Sequence, residues 1–327
     1  MITGVRNHER SDQGIKEWRR NRFRILVCID GSDESYRGLR YAARLGKAPD
    51  ADIVLLYVRP IDQGMRTEGL EVRVARENML NWGLELPGVK FLKKGLDQLW
   101  QDYELGDDWN ERITHTDVAG DPLGDNKIEY TNADGKAIVL KLKTAPNVAT
   151  GILDQYELGP YDLIIIGASG RWSNVSKSFF DPAIAEKIAF HAPCSVLVTR
   201  ELEGGRGHLI CTDGSDKSLM AVHKVGDIVN RLGGKAHVLS VALDEDGRVA
   251  AKEHVDFAKE TLLRKHVEVT GAEVRVGNPV DEIIEVGARF SLIAVADSDV
   301  KGLKRFFMGS VAFKVVEHAH NSVMVVR

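Results

Sequence analysis

The chain has 327 residues, 43% of them apolar and 28% charged, with 31 glycines, which is more than one typical core holds and about right for two domains. Its net charge of −4 offers no basic footprint for nucleic acid, and no apolar run approaches the roughly 18 residues a membrane helix needs. Cys28, Cys194 and Cys211 sit in or beside apolar runs without metal-ligand spacing, the pattern of buried reduced thiols, and so point to the cytosol.

In chain order, Met1 to Phe23 is polar and Arg-rich with no apolar segment to serve as a secretory signal, and residues 1–21 read as a disordered or loosely docked arm. Phe23 to Asp30 reads as a strand, Ser35 to Leu45 as a helix, and Asp52 to Val58 as a second strand, apolar as one covered on both faces should be. An insertion follows, at about residues 61–137. In it, Glu68 to Leu84 and Val89 to Tyr103 have helical spacing, with Leu92, Leu96 and Leu99 along one face. Lys127 to Thr131 and Lys136 to Lys143 flank Asn132-Ala133-Asp134-Gly135, a good hairpin turn because Asp and Gly tolerate positive φ. Asp117, Asp121 and Asp125 are expected in a solvated loop; with His115 they offer oxygen ligands for a cation, but at a spacing that fits no known loop. Asp162 to Gly167 is the fourth strand, and Ala185 to Val198 a last helix and strand.

The second half answers in the same order. Cys28-Ile29-Asp30-Gly31-Ser32-Asp33-Glu34-Ser35 returns as Cys211-Thr212-Asp213-Gly214-Ser215-Asp216-Lys217-Ser218, six of eight positions identical. Leu209 to Asp213 is a strand, Ser218 to Leu232 a helix and Ala236 to Leu243 a strand; Ser291 to Ala296 matches the fourth strand, and Phe313 to Val325 the closing helix and strand. The offset between copies is 183 at Asp30 and Asp213 and still 183 at Val58 and Val241, then falls to 133 at Pro146 and Pro279, so about fifty extra residues lie between. Collinearity makes this a duplication. Each half reads as five strands alternating with four helices, which right-handed crossovers wind into a parallel sheet with helices on both faces. The expected class is α/β with two tandem doubly wound, Rossmann-like parallel sheets, the first carrying the insertion (residues 22–203), the second compact (204–327). Ligands in such sheets bind where the carboxyl ends of the strands meet a reversal of strand order, here between the first-strand turn and the loop after the fourth strand.

The repeated Asp-Gly-Ser turns, the fourth strand with its loop, and Glu186 to Val198 together resemble the universal stress protein family in its tandem form. The resemblance covers roughly Phe23 to Pro60, Leu142 to Arg200 and His208 to Arg327. It implies a stress-response binding and signalling module, with the two domains paired as an intramolecular pseudo-dimer through the last strands, a homo-oligomer or protein partner beyond that, and ATP or another adenine nucleotide as cofactor. In nucleotide-binding members the fourth-strand loop reads Gly-x2-Gly-x9-Gly-Ser/Thr, so that backbone N–H groups and a helix N-terminus meet the phosphates. An Asp of the first turn and a residue ending the second strand meet the nucleoside. Those positions here are Asp30, Gly31 and Val58 in the first copy, and Asp213, Gly214 and Val241 in the second.

The motif is split between the copies. The first keeps Gly167-Ala168-Ser169-Gly170 but has Asp181-Pro182-Ala183 where Gly-Ser should follow, placing a carboxylate cap where a phosphate would sit. The second keeps Gly309-Ser310-Val311, near Lys301, Lys304 and Arg305, but has Ala296 and Asp299 for the two glycines. The second copy is therefore the expected nucleotide site, and the rival reading is a nucleotide-free scaffold that binds a small ligand or partner through the insertion and the Phe179-Phe180 and Phe306-Phe307 pairs. Neither Gly-x4-Gly-Lys-Ser/Thr nor Gly-x-Ser-x-Gly occurs, so ATP hydrolysis is not expected as a main role, and Ser32 and Ser215 read as helix caps. His191 and His318, at the ends of matching helices, read as dipole partners.

Overall fold

The computed structural model describes residues 21–61, 87–103, 109–118, 121–168, 182–200, 205–297 and 311–327. The arm at residues 1–20, the helix expected over Glu68 to Leu84, both Phe-Phe pairs, and Gly170, Asp181, Asp299, Lys301, Lys304, Arg305, Gly309 and Ser310 lie outside the described residues. The first half runs β1 (Phe23–Cys28), α1 (Asp33–Leu45), β2 (Ala51–Pro60), α2 (Pro87–Tyr103), β3 (Asn110–Val118), β4 (Asp121–Thr131), β5 (Ala137–Ala145), α3 (Val148–Glu157), β6 (Leu163–Gly167), α4 (Pro182–His191) and β7 (Ser195–Thr199). The second runs β8 (His208–Cys211), α5 (Asp216–Arg231), β9 (Lys235–Ala242), α6 (Arg248–Arg264), β10 (Glu268–Val276), α7 (Pro279–Gly287), β11 (Leu292–Ala296), α8 (Val311–His318) and β12 (Ser322–Val326).

The strands form one twelve-stranded sheet in the order β10-β9-β8-β11-β12-β7-β6-β1-β2-β5-β4-β3. Two five-stranded parallel sheets meet edge to edge: β7 pairs antiparallel with β12, Val198 opposite Val323 and Val196 opposite Val325. Alternate residues of each strand face opposite sides, so the core divides in two. On one face α1, α2, α5 and α6 cover Ile25, Leu55, Leu140, Ile210 and Val238; on the other α3, α4, α7 and α8 cover Leu26, Leu56, Ile164, Val196 and Ile293. Both layers run through the two halves without a break.

A pair of arginines clamps the junction with two-fold symmetry. Arg200 Nη2 donates to the Val316 carbonyl and its backbone N–H to Ser322 Oγ; Arg327, 127 residues on, donates from Nη2 to the Ala189 carbonyl and from its N–H to Ser195 Oγ. Each acceptor pair is separated by the same 127 residues. Each arginine thus ties the end of its own last strand to the end of the other half's last helix, where carbonyls lack intrahelical partners. Beside the clamp, Tyr41 of α1 shares a 3.2 Å hydrogen bond with His208 of β8, both buried.

The insertion enters in two pieces. Helices α2 and α6 are both 17 residues long and hold the same place, after β2 and β9 respectively, with an offset of 161 between their starts. Extra chain therefore lies before α2 and again after it, where the β3–β4 hairpin adds two antiparallel strands beyond β5. The hairpin turn before β5 is as expected, with Gly135 at φ +80° and its N–H on the Asn132 carbonyl at 3.0 Å. The acidic loop is not. His115 and Asp117 lie on β3, Asp121 and Asp125 on β4; Asp121 is buried in a 2.6 Å ion pair with Arg59, and Asp125 accepts from the Thr144 N–H at 2.7 Å. Two of the three carboxylates are thus consumed in fastening the hairpin to the parent sheet. The polar composition that reads as a loop belongs to strands with little apolar surface to bury.

Candidate functional site

The two Asp-Gly-Ser turns have one internal geometry. Gly31 has φ +89° and Gly214 φ +76°, a left-handed backbone that a side chain would strain. Asp30 Oδ1 accepts from the Ser32 N–H at 2.9 Å and the Ser32 hydroxyl at 2.5 Å; Asp213 Oδ1 accepts from the Ser215 N–H at 3.0 Å and hydroxyl at 2.6 Å. Ser32 and Ser215 in turn cap α1 and α5 by accepting from the N–H of Ser35 and Ser218. The serines are caps, as their place in the turn predicts, and the carboxylates are oriented by them. At Asp213 burial opposes ionisation, but the hydrogen bonds from Ser215 and Ser218 outweigh it and hold the carboxyl below its usual range.

Outside the turns the copies diverge. A ring lies over the glycine in both, a Cβ on Gly31 coming within 2.6 Å of Phe91 of α2 and one on Gly214 within 2.2 Å of His254 of α6, but the first copy adds two tyrosines beside its ring. Tyr57 stands beside Phe91 with ring centroids 6.0 Å apart, and Tyr36 donates its hydroxyl to the Phe91 carbonyl at 3.1 Å. Burial, with the Asp30 charge adding to it, pushes the Tyr36 phenol up to about 12 and raises that of Tyr57. Asp30 is only 3% exposed, and Val58 is covered by α3, where a Cβ on Gly151 would stand 2.5 Å from Val58 Cγ1.

In the second copy the corresponding turn faces a cleft of about 640 Å³. Its floor is apolar: Cys211, Leu239, Val241, Ile283 and Val295. Its polar wall is the turn itself, with Thr212, Asp213, Ser215 and Ser218, and Asp297 just past β11. Asp213 is exposed and Val241 half-buried, in contrast to their first-copy counterparts. The starts of three helices border the cleft, α5 at Asp216 to Ser218, α7 at Pro279 and α8 at Val311. Helix starts carry a positive end, although Ser215 and Asn278 already take the Ser218 and Val280 N–H groups of α5 and α7. Against them stand Asp213, Asp216 and Asp297, the last held by Arg327 Nε at 2.9 Å.

Of the residues expected at a site, the structure brings Asp213, Val241 and Val311 together around this cleft, with Gly214 in the same turn. Gly309 and Ser310 fall outside the described residues. Asp30 and Gly31 share a turn that aromatic side chains cover, and Val58 lies under α3. Gly167 has a packing reason of its own: a Cβ there would stand 2.7 Å from the Ser35 nitrogen at the start of α1. Thr212, Ser218, Ile283 and Asp297 were not singled out from sequence. Thr212 and Ser218 could have been, because they belong to the repeated eight-residue turn, and their hydroxyls lie 3.0 Å apart.

The comparisons with known proteins agree with this architecture. Residues 21–80 and 208–327 match the model of the universal stress protein family. Universal stress protein MJ0531 of Methanocaldococcus jannaschii is 28% identical over 141 residues, 36% of this chain and 80% of that one. A universal stress protein of Archaeoglobus fulgidus DSM 4304 has the same fold at 15% identity and TM-score 0.54, over 93% of this chain and 96% of that one. A functionally unknown protein of Pseudomonas aeruginosa PAO1 matches at 15% identity and TM-score 0.54, over 95% of this chain and 94% of the other.

Proposed function

Because the chain belongs to the universal stress protein family, we propose that it is a tandem binding and signalling module of the stress response whose second half holds an adenine nucleotide. The observation that carries this reading is the open cleft at the carboxyl ends of β8, β9 and β11, where Asp213 is exposed, set against the buried Asp30 of the first half. Its volume of about 640 Å³ lies in the range of small-molecule sites. The apolar floor at Leu239, Val241 and Ile283 suits a base, and the Asp213 carboxylate, ionised at neutral pH, can accept hydrogen bonds from ribose hydroxyls. The helix starts of α5, α7 and α8 favour an anion. The pseudo-dimer formed through β7 and β12 is part of this reading, as is a cytosolic location, which suits three buried, unpaired thiols. No helix among the described residues is long and apolar enough to cross a membrane.

A second reading keeps the cleft and removes the phosphates. Asp213, Asp216 and Asp297 put three carboxylates in its wall, which favours a nucleoside or another polyhydroxylated, uncharged ligand over a nucleotide. Calorimetric titration with ATP, AMP and adenosine, with and without Val241→Trp, separates the two. The nucleotide reading expects one ATP or AMP site per chain, lost in Val241→Trp while the melting temperature holds. Binding of adenosine alone supports the second reading, and silence of all three up to millimolar concentration overturns both.

A further inference from the structure

Pairing β7 with β12 inside the chain uses up one edge of each parallel sheet and leaves β10 and β3 at the two ends of the twelve-stranded sheet. The two ends differ. Strand β10 has a register shift between Val269 and Gly271, and its Glu273 is engaged by Arg275 and Arg289. Strand β3 spans nine residues, pairs with β4 alone among the described residues, and is exposed along most of its length, with Ile113 66% exposed at its centre. A long exposed edge offers unpaired N–H and C=O groups to another strand.

We propose that β3 is a self-complementary edge through which two copies of this chain pair antiparallel. The register follows from the charges. A two-fold axis normal to the sheet brings like faces together and must pass through a residue, because directly opposed side chains point to the same face. Through Arg112 it would stack two guanidinium groups, and through Thr114 it would set Glu111 against the partner's Asp117 twice over. Through Ile113 it places the two exposed isoleucines side by side and sets Glu111 of each copy opposite His115 of the other. His115 would meet that carboxylate as a charge and not through a free N–H: its ring nitrogens lie 3.0 Å from Asn126 Oδ1 and 3.2 Å from Asp117 Oδ1, acceptors that favour the imidazolium. Glu111, Ile113 and His115 share one face, opposite Tyr130, Ile128 and Asn126 of β4, so the isoleucine contact would continue a row that begins on β4. The register shift between Thr116 and Val118 ends the pairing on that side.

The test uses the full chain with single cysteines added on β3, where the native Cys28, Cys194 and Cys211 are buried and contribute little background. Mild oxidation should join Ile113→Cys to itself as a covalent dimer. Glu111→Cys and His115→Cys should each stay monomeric alone but cross-link when mixed. Sedimentation at tens of micromolar should show a dimer for the unmodified chain. Glu111→Lys should weaken it by about tenfold or more, and the exchange Glu111→Lys with His115→Glu should restore it. A monomer at that concentration, or cross-linking equally efficient at all three positions, would overturn the proposal. These surface substitutions leave the core untouched, and an unchanged melting temperature confirms that each variant is folded.

Discussion

Arg327→Ala should separate the contribution of the junction from that of the two halves. The side chain is 12% exposed, and its guanidinium donates to the carbonyls of Ala189 at 2.5 Å, Cys194 at 3.2 Å and Phe190 at 3.3 Å while pairing with Asp297 at 2.9 Å. Charge-assisted bonds to such groups contribute about 1.5–3 kcal/mol each when taken singly, but four on one guanidinium are far from additive. Water can reach part of the gap once the side chain is gone, which limits the loss. A net cost of about 3 kcal/mol results, and about 2 kcal/mol for Arg200→Ala, since the first-half counterpart of Asp297 is Ala168 and offers no carboxylate. Arg327→Lys should recover less than half, because an ammonium cannot span the carbonyls and the carboxylate together. Urea unfolding followed by far-ultraviolet circular dichroism measures this, and a split transition in Arg327→Ala would show the halves melting apart. A change below about 0.5 kcal/mol, or a larger loss from Arg200→Ala, would refute the clamp.

Other outcomes follow from single features. Gly31→Ala and Gly214→Ala should each cost about 2–3 kcal/mol in urea melts, since each adds left-handed strain and drives a Cβ into a ring, that of Phe91 or of His254 at 2.2 Å; a neutral effect would mean the turns relax freely. Burial pushes the His208 imidazole down to about 4, so the unfolded chain binds the extra proton first. Its contribution, roughly 3 kcal/mol, is whole above pH 6.5 and drains away as pH falls toward 4; His208→Gln should flatten the stability profile in that window. Asp213 has a lowered pKa, so its contribution is present above the ordinary carboxylate range and lost as pH falls through the depressed value. The difference between the original chain and Asp213→Asn should therefore shrink below about pH 4 in acid melts.

The duplication was legible because its marks are local. A positive-φ glycine between an oriented carboxylate and a capping serine leaves a fixed residue pattern, and buried parallel strands leave apolar runs. The hairpin turn at Asn132 to Gly135 was legible for the same reason. Strand β3 and the first half of β4, before the Lys127 to Thr131 stretch that the hairpin turn marks, were not, since their side chains bind one another and Arg59 or meet solvent, so polar residues occupy strand positions without the alternation that betrays a half-buried sheet. Nor could sequence show that α2 is the counterpart of α6, because the extra chain before it breaks the offset by which copies are aligned. The cover over the first turn was hidden for a different reason: Phe91 meets Gly31 across sixty residues, and Tyr57 joins it from another strand.

That cover bears on why the two halves keep the same turn and differ around it. Position 57 is Tyr in the first copy, and its counterpart in the second is Ser240; position 36 is Tyr, and its counterpart is Leu219. Two aromatic rings present in one copy and missing from the other stand close enough to feel the charge of an Asp30 that is buried, whereas Asp213 is exposed. The turn itself is retained in both because it starts the helix that packs over the strand, whether or not it faces a ligand. Replacing the cover therefore changes access without dismantling the scaffold. The second cleft is also the one whose wall reaches the junction, since Asp297 lines it and Arg327, its partner, grips the end of α4 in the other half. A ligand that drew on Asp297 would compete with its ion pair to Arg327, whose guanidinium also donates to the Ala189 carbonyl of the first half, so occupancy of this cleft bears directly on the junction.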